Sequence, residues 1–308
     1  MIFSLQFYFK SNNDILENLK IDDNTEFVFT NHGHNCVKNS FCTTNANIFE
    51  LSINYEDENI RNNIIDLFCA AYTVIHAWNY YDFSDLFAKL KSDTSFSIFE
   101  GDDRIYLVCL LVQKCYGNQC YKNAICKYHV AQEIFSLHPL ALHPSQEPIN
   151  ITTVLTENIR IANVVVDCYS ILEELGLQIK LDSKNESSVS NDGKSWNPAI
   201  LDKLKGTLKS NNINPDSSIP WLCRNGITRP FKDMIVEVGN PCEWNDGDAI
   251  KDFNIIITDA ILELSYMRSR LASHGLNDRV LKLTIYDAEN SFNLSRIILL
   301  NFFKITLE

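Results

Sequence analysis

Alternation of apolar and polar residues governs the first part of the chain: FSLQFYFK, EFVFT and NIFELSINYE place Phe, Ile and Tyr at every second position, separated by SNND, NHGHN and neighbouring asparagines. A period of two sends successive side chains to opposite faces of a strand, and aromatic and β-branched residues suit a half-buried pleated surface. Residues up to about 55 therefore predict strands of an antiparallel sheet. Beyond them the period lengthens. In IRNNIIDLFCAAYTVIHAW, Ile60, Ile64, Leu67, Phe68, Ala71 and Ile75 share one face of a helix. Two further helices are expected around 104–115 and 123–137.

The stretch LHPLALHPSQEP interrupts this series with prolines at 139, 144 and 148. Each proline removes a backbone donor and restrains the residue before it, so no helix runs through. The domain boundary is placed here, giving an N-terminal domain over 1–145 and a C-terminal one over 146–308. In the second domain the pattern predicts helix throughout. A helix over 153–175 carries Val154, Ile161, Val164, Val165, Cys168, Ile171, Leu172 and Leu175 and stops at Gly176. After the polar loop DSKNESSVSNDGKS comes a helix over about 198–209, with Asn197 as N-cap and Pro198 in its first turn. A short turn or helix holds SSIPWLCRNG, a further piece lies around 231–238, and helices over 249–274 and 287–306 close the chain. The expected fold class is α+β, an antiparallel-sheet and helix domain followed by an all-α bundle.

Composition narrows the classes of function. A formal charge of −12 argues against coating nucleic acid by bulk electrostatics but leaves room for a local basic pocket. No apolar run approaches the roughly 18 residues a membrane helix needs. The opening residues lack a basic region and a small-residue cleavage site, so no secretory signal is read and a cytoplasmic, membrane-free location is expected. The ten cysteines form no C-x-x-C pair and read as free thiols. Cys109, Cys115, Cys120 and Cys126 recur at a spacing that suits neither zinc nor iron–sulfur ligation and read as small buried hydrophobes. His32, His34 and Cys36, with Cys42 nearby, alternate as strand ligands would. Their spacing fits no zinc motif, and Gly33 among asparagines reads better as a turn, so neither metal nor cofactor is expected. Adjacent carboxylates such as Glu173 and Glu174, or Asp102 and Asp103, read as solvated.

One stretch stands apart. YMRSRLASHGLN, residues 266–277, gathers two arginines, a histidine and a glycine at the end of an apolar helix. Cations in a last turn followed by glycine are an ordinary helix stop. Arg268 and His274 are also the residue types that handle phosphate, and Arg270 and His274, four apart, share a helix face. Both readings stand on spacing alone.

The block AILELSYMRSRLASHG, followed by a closing LSRIILLNFFKI, resembles the C-terminal helices of the HEPN superfamily, particularly its Apea-like branch, in which a helix ends in an R-x(4-6)-H motif running into His-Gly. The upstream IANVVVDCYSILEELGLQIK and NPAILDKLKGTLKSNNINPDSSIPWLCRNG resemble the earlier helices, so the likeness spans the chain from near residue 150 to its end. Where the family often has Asn, Asp or His after the motif arginine, this chain has Ser269. The resemblance implies an endoribonuclease of phage-defence or toxin type, working without metal through the ribose 2′-hydroxyl. It implies Arg268 and His274 as catalytic residues, with Ser269, Arg270 and Arg279 near the RNA. It also implies a homodimer whose two chains share one cleft, and a triggering or neutralising protein partner. Arg224 and Arg229 are weaker candidates for substrate grip or a dimer salt bridge. The alternative is a HEPN-like module that dimerises and holds RNA or protein without cleaving, which Ser269 and the acidic balance favour.

Overall fold

The computed structural model describes residues 3–11, 13, 15–33, 47–55, 58–77, 104–136, 155–177, 182–183, 186–187, 196–224, 250–272 and 283–307. They fall into two compact units, Met1–His129 with Ile305–Glu308, and Val130–Lys304. The division lies inside a helix, while the proline-rich segment at which the sequence places it lies outside the described residues.

The first unit is built on a four-stranded antiparallel sheet of β1 (Phe3–Ser11), β2 (Leu19–Lys20), β3 (Glu26–Asn31) and β4 (Asn47–Tyr55), in the order β1-β4-β3-β2. The expected alternation sets the register. Phe9 lies opposite Phe49, Phe29 opposite Leu51 and Phe27 opposite Ile53, and all six are buried. A one-residue slip would turn this apolar set to the other face, so burial specifies the pairing strongly. Helix α1 (Glu58–His76) packs through Phe68 against Phe27, and α2 (Ile105–Tyr116) through Tyr106 against Phe29. Helix α3 (Gln119–Ser136) follows, its His129 Nδ1 within 2.9 Å of the Thr73 hydroxyl. Gly33 takes φ +73°, in the left-handed region that favours glycine.

In the second unit the helices α4 (Leu155–Glu174), α5 (Pro198–Ser210), α6 (Ile257–Tyr266) and α7 (Ile285–Phe302) are joined by strands. Two expected caps are present. The Asn197 side chain accepts a hydrogen bond from the Ala199 N–H at the start of α5. Gly176, at φ +70°, ends α4, and the Leu177 N–H returns to the Leu172 carbonyl.

The expectation of an all-helical second unit is overturned. Short strands β5 (Asp182–Ser183) and β6 (Glu186–Ser187) pair, and β7 (Ser218–Arg224) pairs antiparallel with β8 (Ile250–Ile256). The segment expected to open a long helix at 249 carries β8, and SIPWLCR is β7 rather than part of a turn or helix. Ile219 and Trp221 are buried while Ser218 and Pro220 are exposed, a period of two. The run of isoleucines at 255–257 suits a strand as well as a helix, and a short apolar run does not decide between them locally.

The outer edge of β7 is held by one side chain. Asn290, buried on α7, accepts from the Leu222 N–H at 2.7 Å and donates to the Leu222 carbonyl at 2.7 Å, so its carboxamide acts as a further strand partner. Backbone groups alternate sides along a strand, so Pro220 points its missing donor to this same outer edge, where β8 does not need it. β8 continues directly into α6, whose first N–H, that of Ile257, bonds back to the Ser217 carbonyl. From Ile257 to Ser265 every α6 residue but Asp259 is buried. Along the other flank α4 packs on α7, with the Ser295 hydroxyl donating to the Cys168 carbonyl.

Replacing Asn290 by leucine leaves both backbone groups of Leu222 without their partner and is expected to cost about 2–4 kcal/mol in urea unfolding. A loss below about 0.5 kcal/mol would show that the strand pair does not depend on this carboxamide. A second expectation concerns Asp259, whose carboxylate accepts from Trp196 Nε1 at 2.8 Å. Burial, only partly offset by that hydrogen bond and by Lys205, raises its pKa above the usual carboxylate value. A raised carboxylate pKa means the folded state holds the proton better than the unfolded one, so this group lowers stability as pH rises from the ordinary value through the folded one. Asp259→Asn keeps an acceptor for Trp196 and is expected to be more stable than wild type at neutral pH. That difference should shrink on acidification in paired thermal melts.

Candidate functional site

Helix α6 does not end in an α-helical turn. Its last residues pass into a π-helix over Met267–Ala272, the segment MRSRLA that carries both arginines of the sequence motif. Such i→i+5 segments are rare, cost backbone regularity and recur at functional sites. The wider ladder brings the chain out of the core: Met267 and Leu271 stay buried, while Arg268 and Ser269 become half-exposed.

Arg268 meets the C-terminal turns of α4. Its guanidinium carbon lies 5.2 Å from the centre of the Tyr169 ring, and its Nη2 is 3.7 Å from Glu173 Oε1. Tyr169 and Glu173 are four apart and so share one face of α4. The helix stops just beyond them at Gly176, so its carbonyl end also favours a cation here. The far oxygen of Glu173 is within 3.4 Å of the Ser170 hydroxyl, which donates to it. Three features thus favour a cation at this point: an aromatic ring beneath it, a carboxylate 3.7 Å away and the negative end of a helix.

Of the sequence-predicted site residues, Arg268 and Ser269 are adjacent on the π segment, and Arg270 follows on the same turn. The side chain of Arg270, and all of His274 and Arg279, lie outside the described residues, as does Arg229. Arg224 ends β7. Tyr169 was not singled out from sequence, and Glu173 was read as solvated. Glu173 keeps 35% of its side chain exposed, and beside that solvent contact it lies 3.7 Å from Arg268, a partner not read from the sequence. A signal existed for it: an acidic residue in the last turn of a helix opposes the dipole and calls for a compensating cation.

The N-terminal ligand set is not assembled among the described residues. His32, just beyond β3, has its Nε2 2.9 Å from Glu50 Oε2 on β4, while His34, Cys36 and Cys42 lie outside the described residues. No group of three or more His, Cys, Asp or Glu among the described residues is arranged to hold a metal ion. Cys109 and Cys115 are buried as expected, and burial pushes both thiols up, away from thiolate. Cys120 departs from that expectation, standing exposed on the first turn of α3. No described helix is long and apolar enough to cross a membrane.

With 39% of the Arg268 side chain exposed, its contacts contribute modestly to stability. Arg268→Ala is expected to cost about 1 kcal/mol in denaturant unfolding. A loss above about 3 kcal/mol would assign it to the fold rather than to a ligand. No protein-family model, no curated protein and no solved structure matches the chain.

Proposed function

We propose that the chain is a metal-independent endoribonuclease of HEPN-like type in which Arg268 and His274 act on RNA at the interface of a two-fold homodimer. One observation carries this reading: Arg268 leaves the core on a π-helical turn, half-exposed, with its guanidinium carbon over the Tyr169 ring. An arginine that served only to end a helix has no need of a stacking platform or a broken helical ladder. The packing of α4 and the α6 segment around α7 supports a HEPN-like helical core, with the β7–β8 pair as an addition to it.

The chemistry follows from the residue types. The ribose 2′-hydroxyl attacks the adjacent phosphorus, the bond from phosphorus to the 5′-oxygen breaks, and the products are a 2′,3′-cyclic phosphate and a 5′-hydroxyl. One proton leaves the 2′-oxygen and one reaches the 5′-oxygen, an exchange that imidazole performs near neutral pH. The Arg268 guanidinium, permanently charged and forked, stabilises the charge gathering on the phosphoryl oxygens. Ser269, Arg270 and Arg279 grip neighbouring phosphates and sugars. The first unit senses a trigger or a neutralising protein partner in a defence or toxin setting in the cytoplasm.

A second reading, a HEPN-like module that binds RNA or protein without cutting, is favoured by one contact: Glu173 already faces Arg268. Cleavage assays separate the two. Under the first reading Arg268→Ala and His274→Ala each abolish cleavage while melting hardly moves, the losses do not add, and EDTA has no effect. An RNA with a single 2′-deoxyribose before the scissile phosphate binds and resists cutting. Undiminished cutting of that RNA, or full activity of His274→Ala, contradicts the mechanism.

A further inference from the structure

The two α4 residues at Arg268 differ in how firmly they hold it. The Arg268 guanidinium carbon lies over the Tyr169 ring, 5.2 Å from its centre, a cation–π contact that attracts the charge without neutralising it. Glu173 Oε1 lies at 3.7 Å from Nη2, beyond hydrogen-bond range and far from the close bidentate geometry of a strong arginine–carboxylate pair. The carboxylate sits in the last turn of α4, the end of the helix dipole that disfavours a negative charge. It also has a second partner on its own helix, the Ser170 hydroxyl, to which it stays bound if it leaves the arginine.

We propose that Glu173 is an exchangeable stand-in for an RNA phosphodiester: it occupies Arg268 in the resting protein and yields it to phosphate, while Tyr169 positions the guanidinium throughout. The inference rests on the reading of Arg268 as the phosphate-handling group and adds to it a carboxylate that sets how readily RNA is admitted. It makes Glu173 a competitor and Tyr169 a positioning residue, so their removal has opposite signs. A purely structural trio has no such asymmetry, because loss of either contact would only loosen the same tie.

The test is binding of the full chain to a fluorescently labelled single-stranded 2′-O-methyl oligoribonucleotide of mixed sequence, which lacks the nucleophile and is not cut. Glu173→Gln is expected to bind about two- to fivefold tighter than wild type at low salt, the difference fading as salt rises, as suits release of a solvent-screened pair. Tyr169→Leu is expected to bind weaker by a similar factor, about two- to fivefold, with Tyr169→Phe recovering most of the affinity. Melting temperatures of all variants check that the fold survives. Arg268-dependent binding that Glu173→Gln leaves unchanged or weakens overturns the inference alone. Absence of Arg268-dependent binding in every variant overturns both the inference and the functional reading beneath it.

Discussion

The second unit is organised by a single buried carboxamide. Asn290 satisfies both backbone groups of Leu222, which fixes the outer edge of β7 on α7. β7 in turn fixes β8 by pairing, β8 leads without a loop into α6, and α6 delivers the π-helical turn that carries Arg268. The circuit closes through α4, which packs on α7 and presents Tyr169 and Glu173 to the same arginine. A buried backbone N–H or carbonyl without a partner costs about 1–3 kcal/mol, so the carboxamide answers for a sizeable fraction of a domain's net stability.

Firmness declines along that circuit towards the site. Around Asn290 the groups are buried and hydrogen-bonded at short distance, whereas at Arg268 they are half-exposed, screened and longer. The Arg268 guanidinium carbon lies over an aromatic ring, and Glu173 stands beside it beyond hydrogen-bond distance. A half-exposed cation on a protein of net charge −12 is the local positive point that the proposed function requires.

Local patterns were readable where local forces decide. The strands of the first unit follow an alternation that burial enforces, Asn197 and Pro198 announce α5, and Gly176 takes the positive φ that ends α4. The β7–β8 pair was missed because its evidence is non-local: Leu222 is recognised by Asn290, 68 positions away, and an isoleucine-rich segment serves helix and strand alike. For the site, Arg268 was visible as an arginine at the end of an apolar helix. Its partners were not, since four-residue spacing on α4 says that Tyr169 and Glu173 share a face but not what that face meets. The π-helical turn has no sequence signature in MRSRLA.

If Arg268 belongs to a site acting on RNA through the ribose 2′-hydroxyl, as proposed, the chemistry of the cut ends carries its signature. Full-length protein is incubated with single-stranded RNA in the presence of EDTA, and the termini of the fragments are identified by mass spectrometry. The expected termini are 2′,3′-cyclic phosphates and 5′-hydroxyls that disappear in Arg268→Ala. Fragments ending in 3′-hydroxyl and 5′-phosphate, or cyclic-phosphate ends produced equally by Arg268→Ala, would contradict the proposal.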